Sequence, residues 1–177
     1  MKRTTIAHHP CSIARAVDVA GEWWTPLILR DVAYGVRRFG EIQQDIGVSA
    51  NVLSDRLETL VAEGLLETRP YQDRPERHEY YLTEKGSDLV PALLALMRWG
   101  DKWAWEAPGG PVRVVHDRCG HDVSVEVRCP HCDRSTAPSE LRAELSGRLA
   151  ESPSEGDPGF ISGRHLHAAR GGVKLGE

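Results

Sequence analysis

The stretch "RRFGEIQQDIGVSANVLSDRL", residues 37–57, holds two short helical patterns separated by a glycine and a serine. Apolar residues recur at helical spacing in both halves, which predicts two amphipathic helices. Gly47 is suited to end the first helix, and Ser49 is suited to cap the second. Two helices joined this tightly can place one of them in the major groove of DNA. The stretch therefore predicts a helix-turn-helix.

Two further helices are predicted upstream of this stretch. The first covers residues 11–23 and ends near Gly21. The second begins at Thr25, whose side chain can cap it, has Pro26 in its first turn and stops at Gly35. Together with the helix-turn-helix they supply the apolar faces of a small core.

The downstream pattern predicts a β-hairpin and then a long helix. The helix after Ser49 should run to about Glu63, with an apolar stripe formed by Leu53, Leu57, Leu60 and Val61. Extended runs at residues 65–69 and 78–82 flank an arginine-bearing loop at residues 72–77. Thr83 then caps one long apolar helix, in which Pro91 is a candidate kink. This order of elements is that of a winged helix, a mainly α fold with a small β-hairpin wing.

A winged helix presents the outward N-terminal residues of its recognition helix to base edges, and its wing reaches phosphates or the minor groove. Asn51 is chemically suited to adenine, and Asp55 can accept from cytosine but would repel a phosphate. Arg56 lies near the buried edge, so it can reach either a phosphate or an internal acid. We predict that double-stranded DNA is contacted by Arg37, Arg38, Ser49, Asn51, Ser54, Asp55, Arg56, Arg69, Arg74, Arg77 and His78.

The net charge of the chain limits the kind of nucleic-acid binding that it can support. The net charge of −4 argues against a protein that coats nucleic acid, although a site-specific binder needs only one basic face. Residues 37–80 contain six arginines and nine acidic residues, so DNA binding requires that charges of opposite sign be sorted onto different surfaces. The same acidity keeps open a second class, a protein–protein interaction module that uses the winged helix as a scaffold.

The 177 residues divide by composition into five segments. We expect a flexible N-terminus at residues 1–10, the winged-helix and dimerisation domain at 11–106, a linker at 107–111, a Cys/His hairpin with one short helix from residue 138 at 112–150, and a disordered tail at 151–177. The chain has no apolar run long enough for a membrane span, and its N-terminus lacks the apolar core of a secretory signal. We therefore expect a cytoplasmic protein with reduced cysteines and no membrane partner.

Three of the four cysteines form a motif beyond the linker. His116 and Cys119 make one pair, and Cys129 and Cys132 make a second. Such short turns place two ligands about one tetrahedral edge apart, so we predict a structural zinc ion in a small zinc-ribbon-like hairpin, with His121 or His131 as substitutes for His116. The open alternatives are bystander thiols, a ligand-free hairpin, and a redox pair of Cys129 and Cys132, on which a thiol enzyme could be built.

Three segments of the chain resemble the HxlR-type winged-helix transcriptional regulators, relatives of the MarR group. They are "CSIARAVDVAGEWWTPLILRDVAYGVRRFGEIQQDI" at 11–46, "LSDRLETLVAEGLLETRPY" at 53–71 and "PERHEYYLTEKGSDLVPAL" at 75–93. The likeness covers about residues 11–105. It implies a homodimer built from the first and last helices of the domain, bound to an inverted-repeat operator. The chain departs from the family at Asn51, where the family often has a basic residue, so the resemblance does not supply the operator sequence.

Cys11 lies just before the first helix, beside His8 and His9. A helix N-terminus and a protonated histidine both favour the reactive thiolate. The resemblance implies that the matching cysteine can sense electrophiles, quinones or oxidants. The simpler interpretation is a small apolar residue that packs at the dimer interface.

No catalytic triad, phosphate-binding loop or open metal site occurs in the sequence. We therefore predict a non-enzymatic, homodimeric DNA-binding transcriptional regulator, with a small-molecule or oxidant effector as a further candidate partner.

Overall fold

The computed structural model of the protein describes residues 5–6, 9, 11–107, 109–144 and 173–174. These residues belong to two compact units, Val19–Val125 on the one hand and Met1–Asp18 with Glu126–Glu177 on the other. Within the described residues, no helix is both long enough and apolar enough to cross a membrane.

Helices α1 (Ser12–Ala20) and α2 (Thr25–Ala33) correspond to the two helices predicted upstream. The prediction that Thr25 caps α2 is wrong, because Trp24 already has helical dihedral angles and occupies the N-cap position. Thr25 is instead buried in the first turn, 2% exposed. The carboxylate of Glu22 accepts a hydrogen bond from the Trp24 backbone N–H at 3.1 Å, so one backbone donor at the start of the helix has a partner.

The helix-turn-helix is formed by α3 (Phe39–Ile46) and α4 (Ala50–Ala62), as predicted. Gly47 ends α3 with a φ of 67°, a left-handed conformation that glycine adopts without strain. Ser49 caps α4, and its hydroxyl oxygen accepts from the Val52 backbone N–H. The predicted apolar stripe is correct except at Val61, which is 36% exposed because it lies on the edge of the buried face.

The wing consists of two antiparallel strands, β1 (Leu66–Asp73) and β2 (Glu76–Leu82). Both strands are longer than predicted, and the predicted loop at 72–77 is wrong, because Gln72 and Arg77 are paired in the ladder. The turn is reduced to two residues joined by a cis peptide bond. The Gln72 amide closes it by donating to the carbonyls of Arg74 and Pro75 at 3.1 and 3.0 Å.

The long helix predicted after the wing is two helices, α5 (Glu84–Ser87) and α6 (Val90–Trp103). Thr83 caps α5 as predicted, and its hydroxyl oxygen accepts from the Gly86 backbone N–H at 3.1 Å. Pro91 does not kink a helix. It lies in the first turn of α6, where the missing N–H costs nothing because first-turn amides have no partner within the helix.

The core of the Val19–Val125 unit lies where α2, α3 and α4 meet the base of the wing. Its fully buried members come from each of these elements, and α6 contributes the partly buried Leu93. The buried apolar residues are Ile28, Leu29, Val32, Ile42, Val48, Leu53, Leu57, Leu60, Leu65 and Leu66. This packing fixes the orientation of α4 relative to the wing.

The distal segment is less regular than predicted. The alternating pattern of residues 112–133 predicts one hairpin with Val123, Val125 and Val127 on one face, but only isolated bridges, Val115 with Asp122 and Arg128 with Ser135, occur there among the described residues. Val123 and Val127 are 38% and 59% exposed, so they do not form a buried face that would stabilise a ladder.

The predicted helix from residue 138 is also wrong over its described part. A short 3₁₀ helix (Pro138–Glu140) is followed by strand β3 (Arg142–Ala143). β3 pairs with β4 (Val173–Lys174), so these two residues of the predicted disordered tail are in a strand. The remaining predictions for residues 145–172 and 175–177 lie outside the described residues.

Candidate nucleic-acid interface

Helix α4 exposes a polar face near its N-terminus. Asn51 and Asp55, one turn apart, are both exposed, whereas Leu53 and Leu57 on the opposite side are buried. The half-buried Ser54 donates its hydroxyl proton to a Glu58 carboxylate oxygen at 3.2 Å. The described geometry therefore leaves the side chains of Asn51 and Asp55 accessible for hydrogen bonds with a partner.

Arg56 turns away from this polar face. Its guanidinium lies 3.8 Å from the Glu22 carboxylate, and only a quarter of the side chain is exposed. Of the two predicted partners for Arg56, a phosphate and an internal acid, the structure has the internal acid.

Arg38 ties the start of α3 to the wing. Its Nε is 3.0 Å from Glu79 Oε1, and its guanidinium lies 4.4 Å from the centre of the Tyr71 ring. The Tyr81 hydroxyl also donates to Glu79 at 2.9 Å. The hydroxyl of Tyr81 and then Arg38 lower the pKa of Glu79, and Glu79 in turn raises the pKa of Arg38. The pair therefore stays ionised and holds the wing against the helix-turn-helix.

A second contact between these elements is a stack of two guanidinium groups on one aromatic ring. Arg37 and Arg69 lie 4.2 and 4.0 Å from the centre of the Tyr81 ring. Arg69 also donates twice to Glu67, at 2.9 and 2.6 Å. The Nε of Arg37 is buried and has no hydrogen-bond partner within the described chain. Arg37 and Arg69 are thus held mainly by the wing itself.

The tip of the wing carries the arginines that remain. Arg74 and Arg77 are exposed, and neither guanidinium has a hydrogen bond or ion pair among the described residues. His78 is half-buried, with Nε2 3.2 Å from a Glu76 oxygen. A hollow of about 430 Å³ lies beside them, lined by Arg38, Tyr71 and Arg77 among others. It is large enough to receive a phosphate group.

These contacts pair the charges at the base of the wing. Glu67 and Glu79 are paired with Arg69 and Arg38 at the base, whereas the tip carries the unpaired Arg74 and Arg77 together with the exposed acids Asp73 and Glu76. The sequence interpretation missed Tyr71, Tyr81, Glu67 and Glu79 as positioning residues. Their signal was an arginine–tyrosine–acid alternation along the two strands, which has meaning only once the register is known.

Comparison with known proteins assigns the family. Residues 19–108, half of the chain, match the family model described as HxlR-like helix-turn-helix. The chain belongs to the HxlR family. The uncharacterized HTH-type transcriptional regulator Rv3095 of Mycobacterium tuberculosis is 45% identical over 121 residues, which are 68% of this chain and 77% of that protein. The uncharacterized HTH-type transcriptional regulator YvaP of Bacillus subtilis is 37% identical over 90 residues, 50% of this chain and 83% of that protein.

A solved structure extends the likeness. The crystal structure of PA1607, described as a candidate transcription factor, has a TM-score of 0.72 and 33% identity, and the match covers 81% of this chain and 100% of that one. This share is larger than the half that the family model matches, so the similarity in fold continues beyond the HxlR domain. The protein is a DNA-binding transcriptional regulator of the HxlR type.

The four cysteines all lie outside the segment that matches the HxlR model. Cys11 is exposed just before α1, and its carbonyl accepts from the Arg15 backbone N–H at 3.1 Å. Of the two histidines predicted beside it, His9 is half-buried and His8 lies outside the described residues. The Cys11 thiol is therefore accessible to a small oxidant in the single chain.

The distal cysteines form two close pairs, one in each compact unit. His116 Nδ1 and Cys119 Sγ are 3.3 Å apart. Backbone N–H groups of Cys132 and His131, and then the Cys132 thiol, lower the pKa of Cys129 by donating to its sulfur. A tetrahedral zinc site separates nitrogen and sulfur ligands by about 3.5 Å, so the first pair has a suitable spacing. Among the described residues, no three histidine, cysteine or acidic side chains come together as a metal site.

Proposed function

We propose that this HxlR-family regulator binds an inverted-repeat operator as a homodimer, with α4 in the major groove and the wing tip on the adjacent backbone or minor groove. One observation carries the proposal: the exposed polar start of α4 lies in the same unit as a wing whose unpaired arginines are at its tip. A helix supplies base contacts in the major groove, whereas arginines at the tip of a wing supply phosphate contacts and fix the register.

The acidic balance of residues 37–80 is compatible with this role because of where the charges lie. Arg38 and Arg69 pair with Glu79 and Glu67, and Arg56 pairs with Glu22. These pairs reduce the repulsion that the acids would exert on phosphates. Asn51 and Asp55 are the candidates for base readout, an adenine for the amide and the exocyclic amine of cytosine for the carboxylate.

The homodimer is supported by an uncovered apolar face on α6. Leu96, Trp99 and Trp103 follow one another at spacings of three and four residues, so they lie on one side of the helix. They are 57%, 60% and 66% exposed. A second copy of the chain is the proposed occupant, because two-fold pairing of identical faces closes the assembly and matches an inverted-repeat operator.

We propose Cys11 as a redox-responsive position, supported by its exposure before α1. Oxidation by a disulfide-forming reagent would join Cys11 thiols of two copies and change the spacing of the recognition helices. Packing at the dimer interface is the competing role, and it predicts no response to oxidant.

Zinc binding by His116, Cys119, Cys129 and Cys132 is a second addition to the proposal. It is supported by the ligand spacing of the first pair and by the hydrogen bonds to the sulfur of Cys129. All four positions of such a zinc ion would be filled by protein, so its role would be structural.

The deciding experiment is fluorescence-anisotropy binding to DNA from upstream of the protein's own gene, over a range of salt concentrations, in reductant and then with diamide. Affinity that falls steeply with salt supports phosphate contacts. Loss of affinity in diamide, absent in Cys11→Ser, supports redox control. If binding to this DNA and to a random library is equally weak and insensitive to salt, the interaction-module alternative is favoured instead.

A further inference from the structure

A cavity of about 420 Å³ lies in the Val19–Val125 unit, and none of the residues predicted to contact DNA is among those that line it. Its walls come from α2, from the end of α3, from the C-terminal turn of α6 and from the segment that follows α6. The wall residues that matter for its chemistry are Arg30, Asp31, Tyr34, Asp45, Asp101 and Trp105.

Asp31 is the most unusual of these residues, because it is a carboxylate that is only 2% exposed. Its Oδ1 accepts from Arg30 Nε and Nη2 at 2.9 and 2.6 Å. Its Oδ2 is buried and has no hydrogen-bond partner in the described chain. A buried polar atom without a partner costs free energy, so a donor that reaches Oδ2 from the cavity would be stabilised there.

The cavity carries more negative than positive charge. Arg30 is shared between Asp31 and Asp45, with Nη2 2.5 Å from Asp45 Oδ2. Asp101 is a third acid in the wall, against this single arginine. Burial raises the pKa of Asp31 despite the bonds from Arg30, because one guanidinium does not fully compensate the buried charge.

The C-terminal end of α6 adds to the negative electrostatic potential of the cavity. Its last turn lines the cavity through Gly100 and Asp101, and helix C-termini present carbonyl oxygens that favour a cation. The following segment is packed tightly there. A Cβ atom built on Gly110 would lie 2.0 Å from Asp101 Oδ1, so only glycine permits this approach. The backbone at Gly110 therefore lies close to the Asp101 carboxylate.

Aromatic and thioether groups form the remainder of the wall. The Tyr34 hydroxyl donates to Met97 Sδ at 3.7 Å and joins α2 to α6, and Trp105 lies on the segment after α6. Tyrosine and tryptophan rings attract cations through their electron-rich faces and also bury apolar carbon. The wall thus combines acidic and aromatic side chains.

We propose that this cavity binds a small organic cation, a primary amine attached to an aromatic or apolar body. The ammonium group donates to Asp31 Oδ2 and is balanced by Asp45 and Asp101, while the body packs against Tyr34 and Trp105. This site adds an effector class to the proposed function and rests on it only for an effect on DNA. Amine binding is measured without DNA, so the two proposals can fail separately.

The test is isothermal titration calorimetry of the full chain with phenethylamine, 2-phenylethanol and 3-phenylpropanoate. These probes have one body and carry a positive, neutral or negative head. We expect phenethylamine to bind saturably, about tenfold or more tighter than either of the others, because measured couplings between close charge pairs correspond to about that factor or more. Asp31→Asn should weaken amine binding about tenfold, whereas the matched control Asp88→Asn, on the exposed end of α5, should not change it.

Two results would overturn the proposal. One is the absence of saturable amine binding, and the other is carboxylate binding as tight as amine binding. If Asp31→Asn does not fold, Asp45→Asn takes its place, because Asp45 is half-exposed and its loss leaves the core intact. An unchanged amine affinity in a folded Asp31→Asn or Asp45→Asn variant would also exclude the site.

Discussion

Arg38, the residue just before α3, contacts Glu79 on strand β2 of the wing, with 3.0 Å between Arg38 Nε and Glu79 Oε1. The same two residues form an isolated backbone bridge, so the contact involves main chain and side chain together. Because α3 leads directly into α4, this contact fixes the angle between the recognition helix and the wing. An operator must match that angle if the recognition helix and the wing are both to contact it.

Glu79→Gln should therefore weaken operator binding. The substitution removes the ionic part of the Arg38 contact and lets the wing reorient, and we expect about a two- to fivefold loss of affinity. Glu67→Gln is the matched control, because Glu67 pairs with Arg69 within the same strand. It also removes one negative charge from the wing while leaving the Arg38 contact with Glu79 in place. Fluorescence anisotropy that gives the same affinity for both variants would contradict a positioning role for Glu79.

Arg74→Ala and Arg77→Ala test the wing tip. Each should lower DNA affinity about equally for all sequences and reduce the slope of log affinity against log salt by about 0.9, the effect of one lost phosphate contact. Arg98→Ala removes an exposed arginine from α6 and should leave the slope unchanged. Unaltered slopes in both wing variants would place the tip away from the DNA backbone.

The helix-turn-helix was predictable because its signals are local. Gly47 and Ser49 act within one turn of their own positions, and the buried leucines of α4 follow a simple period. The wing contacts were not predictable in the same way. Glu79 meets Arg38, and Tyr81 meets Arg37, only because the strand register brings them together over long sequence separations.

Two wrong predictions have a common physical origin. The sequence predicts a kink at Pro91, yet proline is best tolerated in a first turn, and a helix begins there. The alternating valines after the linker predicted a ladder, but Val123 and Val127 stay exposed and no regular ladder forms among the described residues. In both cases the periodic pattern does not reveal whether packing stabilises the element that it predicts.

Asp31→Asn should show a distinct dependence on pH. Burial raises the pKa of Asp31 from its ordinary value of 3.8, so the folded state favours the protonated acid. The stability that Asp31 contributes is therefore present below 3.8 and is lost as the pH rises through the raised pKa. An asparagine keeps an acceptor for Arg30 without the buried charge. We expect the melting temperature of the variant minus that of the parent to be larger at neutral pH than at a pH below 3.8. Thermal unfolding followed by circular dichroism measures both temperatures.

A difference in melting temperature that does not change with pH would exclude this explanation of the Asp31 environment. Asp88→Asn is the control, because Asp88 is exposed and its replacement should shift neither curve.

Trp99→Asp tests the proposed dimer face. A charge placed between the exposed Leu96 and Trp103 would have to be buried without a partner on association, and we expect the dimer to weaken by about tenfold or more. Light scattering on a sizing column gives the mass directly. Arg98→Asp changes charge on another side of the same helix and should leave the dimer intact, so equal dissociation by both variants would point to general damage to α6.

Cys129→Ser should remove bound zinc. We expect about one zinc ion per chain in the parent, measured by plasma mass spectrometry after removal of loosely bound metal, because the proposed four ligands fill one tetrahedral site. Cys119→Ser should lose zinc in the same way, whereas Cys11→Ser should retain it. Residues 19–108, which match the HxlR model, contain none of these ligands. Removal of the zinc ion by a chelator should therefore destabilise the distal segment and leave the affinity of the dimer for its operator unchanged. A zinc-free parent with a Cys129–Cys132 disulfide, detected by thiol titration, would favour the redox pair instead.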